Sequence, residues 1–218
     1  MIDPFVISKL LGELPSGVKL VAVSKFKPFE SIIEAYNLGI KDFGENRPQE
    51  LSQKMDRSDL DIRWHFIGHL QRNKVRSIIR KVSLIHSVDS LRLAQEIDKE
   101  AKQISLVKDC LLQVRIAREE TKQGIPCDEL SEIAQQITLL ENIRVCGLMG
   151  MASNTQDMVQ VEVEFALLRS LFENLKSTIF KNSPHFKEIS SGMSSDWKIA
   201  IQNGSTIVRI GSLIFGER

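Results

Sequence analysis

The sequence predicts an α/β protein: a single (β/α)8 barrel, with residues 1–218 read as one domain. Eight short runs rich in apolar and β-branched residues alternate with segments of helical spacing from end to end. Such alternation calls for parallel sheet with crossover helices, and eight units close into a barrel. No Pro-, Gly- or Ser-rich linker and no break in composition divides the 218 residues. An open doubly wound sheet is the alternative arrangement of the same elements.

Each element has its own signal. Pro4 to Leu14 reads as a short helix, with Phe5, Ile7, Leu10 and Leu11 as its apolar set and Pro15 as its stop. Leu20-Val21-Ala22-Val23-Ser24-Lys25 is the first strand, and its unbroken apolar run suits burial on both faces. Pro28 opens a helix carrying Phe29, Ile32, Ile33 and Tyr36, closed by Gly39. A weak strand, Ile40 to Asn46, leads to a helix opened by Pro48 and bearing Leu51 and Met55. Arg63 to Gly68 is the third strand, and Leu70, Val75, Ile78 and Ile79 predict a helix over 70–80. Val82 to Val88 is the fourth, followed by a helix capped by Asp89 or Ser90, with Leu91, Ala94, Ile97, Ala101 and Ile104 on one face.

Cys110 to Ile116 is the fifth strand. A polar loop over Arg118 to Gly124 precedes a helix opened by Pro126 or Asp128 and lined by Leu130, Ile133, Ala134, Ile137 and Leu140. Ile143 to Gly150 is the sixth strand. Asn154 is placed to cap a long helix whose apolar residues, Met158 to Ile179, alternate spacings of three and four. Phe186 to Gly192 is the seventh strand. Ser194 or Ser195 caps a helix with Trp197, Ile199, Ala200 and Ile201, ended by Gly204, and Thr206 to Gly211 is the eighth strand.

Composition removes several function classes. Net charge is +1 and aromatics are 6% of residues, so neither a global field for nucleic acid nor a base-stacking platform is evident. The basic run Arg72, Lys74, Arg76, Arg80 and Lys81 reads as a solvated helix face. No apolar run reaches membrane-spanning length, and Met1-Ile2-Asp3-Pro4 lacks a signal-peptide pattern. Cys110, Cys127 and Cys146 are odd in number and widely spaced, so no disulfide framework is indicated and a cytoplasmic location is expected. His65 and His69 are four apart but straddle a strand end without HExxH, and read as satisfied polar residues at the barrel mouth. Asp89 reads as a cap, while Met149, Met151 and Met193 suit either a ligand cavity or gaps in the core.

Barrel chemistry gathers at the carboxyl ends of strands, and phosphate commonly sits after strands seven and eight. Lys25 ends the first strand; desolvated there, an amine becomes a nucleophile toward carbonyls, a Schiff-base lysine. The plainer reading is a strand-end lysine whose stem lies along apolar surface. Ser190-Ser191-Gly192-Met193-Ser194 and Arg209-Ile210-Gly211-Ser212 are small-residue turns in which backbone N–H groups can approach an anion. A ligand bearing both a carbonyl and a phosphate satisfies all three places, and pyridoxal 5′-phosphate (PLP) is the obvious candidate.

The chain also resembles the pyridoxal phosphate homeostasis protein family. The matching stretches are Val21-Ala22-Val23-Ser24-Lys25, Phe43-Gly44-Glu45-Asn46, Trp64 to Gln71 with Asn73-Lys74, Ser191-Gly192-Met193-Ser194 with Asp196, and Gly204-Ser205-Thr206 through Val208-Arg209-Ile210-Gly211 to Phe215-Gly216. The resemblance implies the alanine-racemase-like barrel of fold type III PLP proteins, without the racemases' extra β domain. It implies that Lys25 carries PLP as a Schiff base, and that Ser194, Gly211 and Ser212 hold the phosphate. It sets Arg209 against the pyridine nitrogen and Asn46 near the ring. Arg47 stands where many members carry an aromatic residue, and Ser212 where many carry threonine.

Arginine only donates, so the ring nitrogen facing it stays unprotonated and the ring is a poorer electron sink. The expectation is therefore a protein of PLP homeostasis that buffers PLP or delivers it to apoenzymes, with little turnover of its own. It is expected to be a monomer with no metal, no nucleic-acid partner and no membrane partner. A PLP-dependent amino-acid racemase and a cofactor-free Schiff-base aldolase are the competing enzyme readings.

Overall fold

The computed structural model describes residues 2–57, 59–119 and 122–216. Among them the strands are β1 (Lys19–Val23), β2 (Asp42–Glu45), β3 (Arg63–Phe66), β4 (Leu84–Val88), β5 (Lys108–Val114), β6 (Ile143–Gly150), β7 (Glu188–Ser190) and β8 (Ile207–Ile210). The helices are α1 (Pro4–Glu13), α2 (Phe29–Asn37), α3 (Pro48–Met55), α4 (Val75–Ile78), α5 (Leu91–Gln103), α6 (Leu130–Ile137), α7 (Met158–Ser177), α8 (Trp197–Gln202) and α9 (Ser212–Phe215).

The strands pair in sequence order, all parallel, and β8 returns to β1 with Val21 beside Arg209, so the sheet is a closed barrel. The open-sheet alternative is thereby excluded. Closure leaves no exposed sheet edge. Outward residues such as Phe43, Phe66, Ile85 and Leu112 pack under the helices in a large apolar layer. Inward residues Val21, Leu84, Leu111, Cys146, Met149 and Ile207 form a separate cluster in the lumen. Polar Asp42, His65, His86, Ser190 and Arg209 are buried as well.

Most elements lie where the sequence places them, but some boundaries and caps differ for identifiable reasons. Only a 3-10 turn at Arg72–Lys74 and the single turn of α4 occupy the helix expected over 70–80. Gln71 is extended, so Leu70 is buried from the preceding loop and matches helical spacing only by coincidence. Asp157 caps α7 in place of Asn154, accepting from Val159 N and Gln160 N at 3.1 and 3.2 Å. The residue before α8 is Asp196, and neither Ser194 nor Ser195 caps it; the Asp196 carboxylate instead accepts from Met193 N at 2.6 Å. Ser90 caps α5, and Asp89 lies 3.5 Å from the His69 ring. Within the expected polar loop 118–124, Glu120 and Thr121 lie outside the described residues.

Candidate functional site

A cleft of about 380 Å³ opens at the carboxyl ends of β1, β7 and β8. Lys25 and Val23 line it from the first strand, and Arg209 from the last. Met193, Ser194 and Ser195 come from the turn after β7, while Gly211, Ser212 and Gly216 come from the segment after β8. Its volume falls in the range of small-molecule sites. Five of the six residues expected to form the site (Lys25, Ser194, Arg209, Gly211 and Ser212) therefore meet in one cleft. Lys27 also lines it and was not expected. Its ammonium donates to the carbonyls of Phe215 and Gly216 at 2.9 and 3.2 Å, tying the two rims together.

The loop that carries Lys25 is fastened on both sides of it. Ser24 is fully buried; its hydroxyl donates to Glu45 Oε1 at 2.5 Å, and its carbonyl accepts from Lys54 Nζ at 2.8 Å. Lys54, buried on α3, also reaches Glu45 and Glu50, each at 2.7 Å. Glu50 in turn accepts from Phe26 N at 2.5 Å. Phe26 sits at φ 63°, a left-handed conformation costly for a bulky residue, so the surrounding bonds must impose it. Arg47 stacks its guanidinium 4.7 Å from the Phe26 ring, which gives that position a local role. Burial raises the Glu45 pKa, opposed by the charge and hydrogen bond of Lys54 and the hydroxyl of Ser24.

Arg209 is 4% exposed. It donates to Ser190 Oγ at 2.6 Å and to the Gly150 carbonyl at 3.1 Å. Burial lowers its pKa to about 10, with Asp196 acting in the other direction, so it stays protonated at neutral pH. Asp196 is itself raised by burial.

The turns after β7 and β8 depend on two glycines. Gly192 has φ +89°, and a Cβ there would lie 2.7 Å from Ala200 Cβ and 2.9 Å from Trp197 Cα. A Cβ on Gly211 would come within 3.2 Å of the Val23 carbonyl, so the absent side chain lets the end of β8 close against β1.

The remaining candidates are placed differently. Asn46 follows β2 and is not among the cleft-lining residues; its buried Oδ1 has no partner among the described residues. His65 lies in the barrel core rather than at the mouth, between Asp42 and His86 at 3.0 and 2.9 Å. Met149 fills the lumen, Met193 lines the cleft, and Met151 lines a neighbouring cleft of about 450 Å³. Among the described residues there is no group of three side chains suited to a metal.

A family model described as "Alanine racemase, N-terminal domain" matches residues 7–218. The pyridoxal phosphate homeostasis protein of Aquifex aeolicus is 44% identical over 208 residues, 95% of this chain and 90% of that one. This chain belongs to the pyridoxal phosphate homeostasis proteins of the alanine racemase N-terminal domain family. A similar solved structure is that of PipY of Synechococcus elongatus PCC7942, determined with PLP bound. It is 34% identical, with a TM-score of 0.89, and the match covers 98% of this chain and 99% of that one. The alanine racemase of Clostridium difficile shares the fold at 16% identity, with a TM-score of 0.77. The match covers 98% of this chain but 56% of the racemase.

Proposed function

We propose that this chain is a single-domain PLP-binding protein of intracellular PLP homeostasis. It holds the cofactor in the cleft between β1, β7 and β8 and releases it to acceptor apoenzymes. The observation that carries the reading is the convergence of Lys25, Arg209 and the two small-residue turns on one cleft. The residues suit the group. The cleft is bounded by an amine, a buried guanidinium and two turns where a Cβ would crowd the backbone. The PLP-bound PipY structure and the names of the relatives support the same ligand.

When bound, PLP supplies an aldehyde that condenses with amines and an electron-withdrawing ring. The chain's own residues do the rest. Lys25 offers the amine, on a loop whose flanking residues Ser24 and Phe26 are pinned by Glu45, Lys54 and Glu50. Ser194, Gly211 and Ser212 offer hydroxyl and N–H donors to the phosphate, with Lys27 a nearby cation. Arg209 would donate toward the ring nitrogen, as the family resemblance implies, and so keep it unprotonated. That arrangement suits holding an aldehyde more than driving carbanion chemistry. Asn46, which does not line the cleft, would approach the ring from the end of β2 only as the family resemblance implies.

The same reading takes the protein as a monomer. The free thiols Cys110, Cys127 and Cys146 fit a reducing cytoplasm. No helix among the described residues is long and apolar enough to cross a membrane.

The test is an absorbance spectrum of protein incubated with PLP, before and after borohydride, with mass mapping of the product. A yellow band that bleaches, with the adduct on Lys25 and lost in Lys25→Ala, is the expected result. An adduct elsewhere overturns the assignment.

A further inference from the structure

Beneath Arg209 a file of side chains crosses the barrel lumen. Arg209 Nη1 donates to Ser190 Oγ at 2.6 Å. Ser190 Oγ lies 2.9 Å from His86 Nδ1, and His86 Nε2 lies 2.9 Å from His65 Nδ1. His65 Nε2 lies 3.0 Å from Asp42 Oδ1. The members come from β8, β7, β4, β3 and β2, and every one is buried. At the far end the half-exposed Arg63 holds both Asp42 oxygens, at 2.8 and 2.6 Å.

Proton counting gives the file a direction. A guanidinium only donates, so Ser190 Oγ accepts from Arg209 and has its own proton to give to His86 Nδ1. A neutral imidazole that accepts at Nδ1 carries its proton on Nε2. His86 therefore donates to His65, and His65 by the same logic donates to Asp42, whose carboxylate only accepts. The opposite polarity needs either a protonated Asp42 or a doubly protonated His65. Burial pushes that carboxyl up, but the bonds from His65 and Arg63 outweigh it and hold the pKa at about 2. A cationic His86 is also disfavoured, chiefly because burial pushes its pKa well down.

We propose that Asp42, His65, His86 and Ser190 are positioning residues for Arg209, a one-way hydrogen-bond file that fixes the orientation in which the guanidinium donates toward the bound cofactor. The inference rests on the cleft being the PLP site and extends that site to the opposite end of the barrel. Each link offers one acceptor in one place, so the file restrains the arginine in a way that a single serine could not.

Two measurements test it. Long-range proton–nitrogen NMR on the ¹⁵N-labelled wild-type protein without added PLP should show the ring proton of His65 and of His86 on Nε2 alone at neutral pH. An Nδ1–H tautomer or an imidazolium at either residue overturns the file. In PLP titrations, Ser190→Ala should shift the absorbance maximum of the complex and weaken affinity about tenfold. Ser190→Thr, which keeps the hydroxyl, should restore both. A Ser190→Ala protein with a wild-type spectrum and affinity, and its Lys25 adduct intact, overturns the positioning role while leaving the binding role standing. A wild-type protein that forms no Lys25 adduct overturns the binding role and the positioning role with it. If Ser190→Ala fails to fold, the tautomer measurement on wild type decides.

Discussion

Asp42 shows how one side chain ties stability to pH. Its folded pKa of about 2 lies below the ordinary 3.8, so its ionised form favours the native state. That contribution is present in full above the unfolded value and is lost as pH falls from about 4 through 2. The difference corresponds to on the order of 2 kcal/mol. Denaturant midpoints of the wild type and Asp42→Asn should differ at neutral pH and converge in strong acid; parallel curves across that window would refute the assignment. The polar file containing Asp42 was the part of the molecule least legible in the sequence. His65, His86 and Ser190 come from three different strands, and no spacing along the chain brings them together. The available signal was parity: each is a polar residue that alternates with the outward apolar residues of its strand, Trp64 and Phe66, Ile85, and Ile189. Lys25 and Arg209 were legible because each ends or sits near the end of a strand and belongs to a longer motif.

At the scale of elements, α3 is what secures the first loop. Lys54 stands 8% exposed between two carboxylates and a carbonyl. Lys54→Met keeps the stem and removes the charge, leaving Glu45 and Glu50 uncompensated. A loss of about 3–5 kcal/mol in urea unfolding is expected, with a lower yield of the Lys25 adduct. The turn after β7 makes a parallel prediction. Gly192→Ala places a Cβ against Trp197 and Ala200 in a backbone conformation that L side chains avoid. It should cost about 1–3 kcal/mol and weaken PLP binding more than distant surface changes do. Strand β6 and helix α7 were read well from the sequence because they are long and strongly patterned. The caps were read less well: Ser90, one of two candidates, does cap α5, but any nearby Ser, Asn or Asp satisfies the pattern and only loop geometry chooses among them. Asn154 thus lost to Asp157, and Ser194 and Ser195 were left to line the cleft.

For the whole molecule, closure matters most. The apolar alternation announced a parallel α/β protein, but it did not distinguish a ring from an open sheet. The β1–β8 pairing decides that, placing Val21 beside Arg209 and Ala22 beside Ile210. A chain terminated after Asn203 lacks β8, exposing the flanks of β1 and β7. It should lose the single sharp denaturation transition and bind hydrophobic dye; a cooperative melt would show that the ring is dispensable. Closure also imposes an order in time during synthesis. Residue 25 leaves the ribosome long before the strand that completes the cleft around it. Until that strand is made and docked, the growing polypeptide has no assembled cleft to offer, and a product stopped short of it never has one.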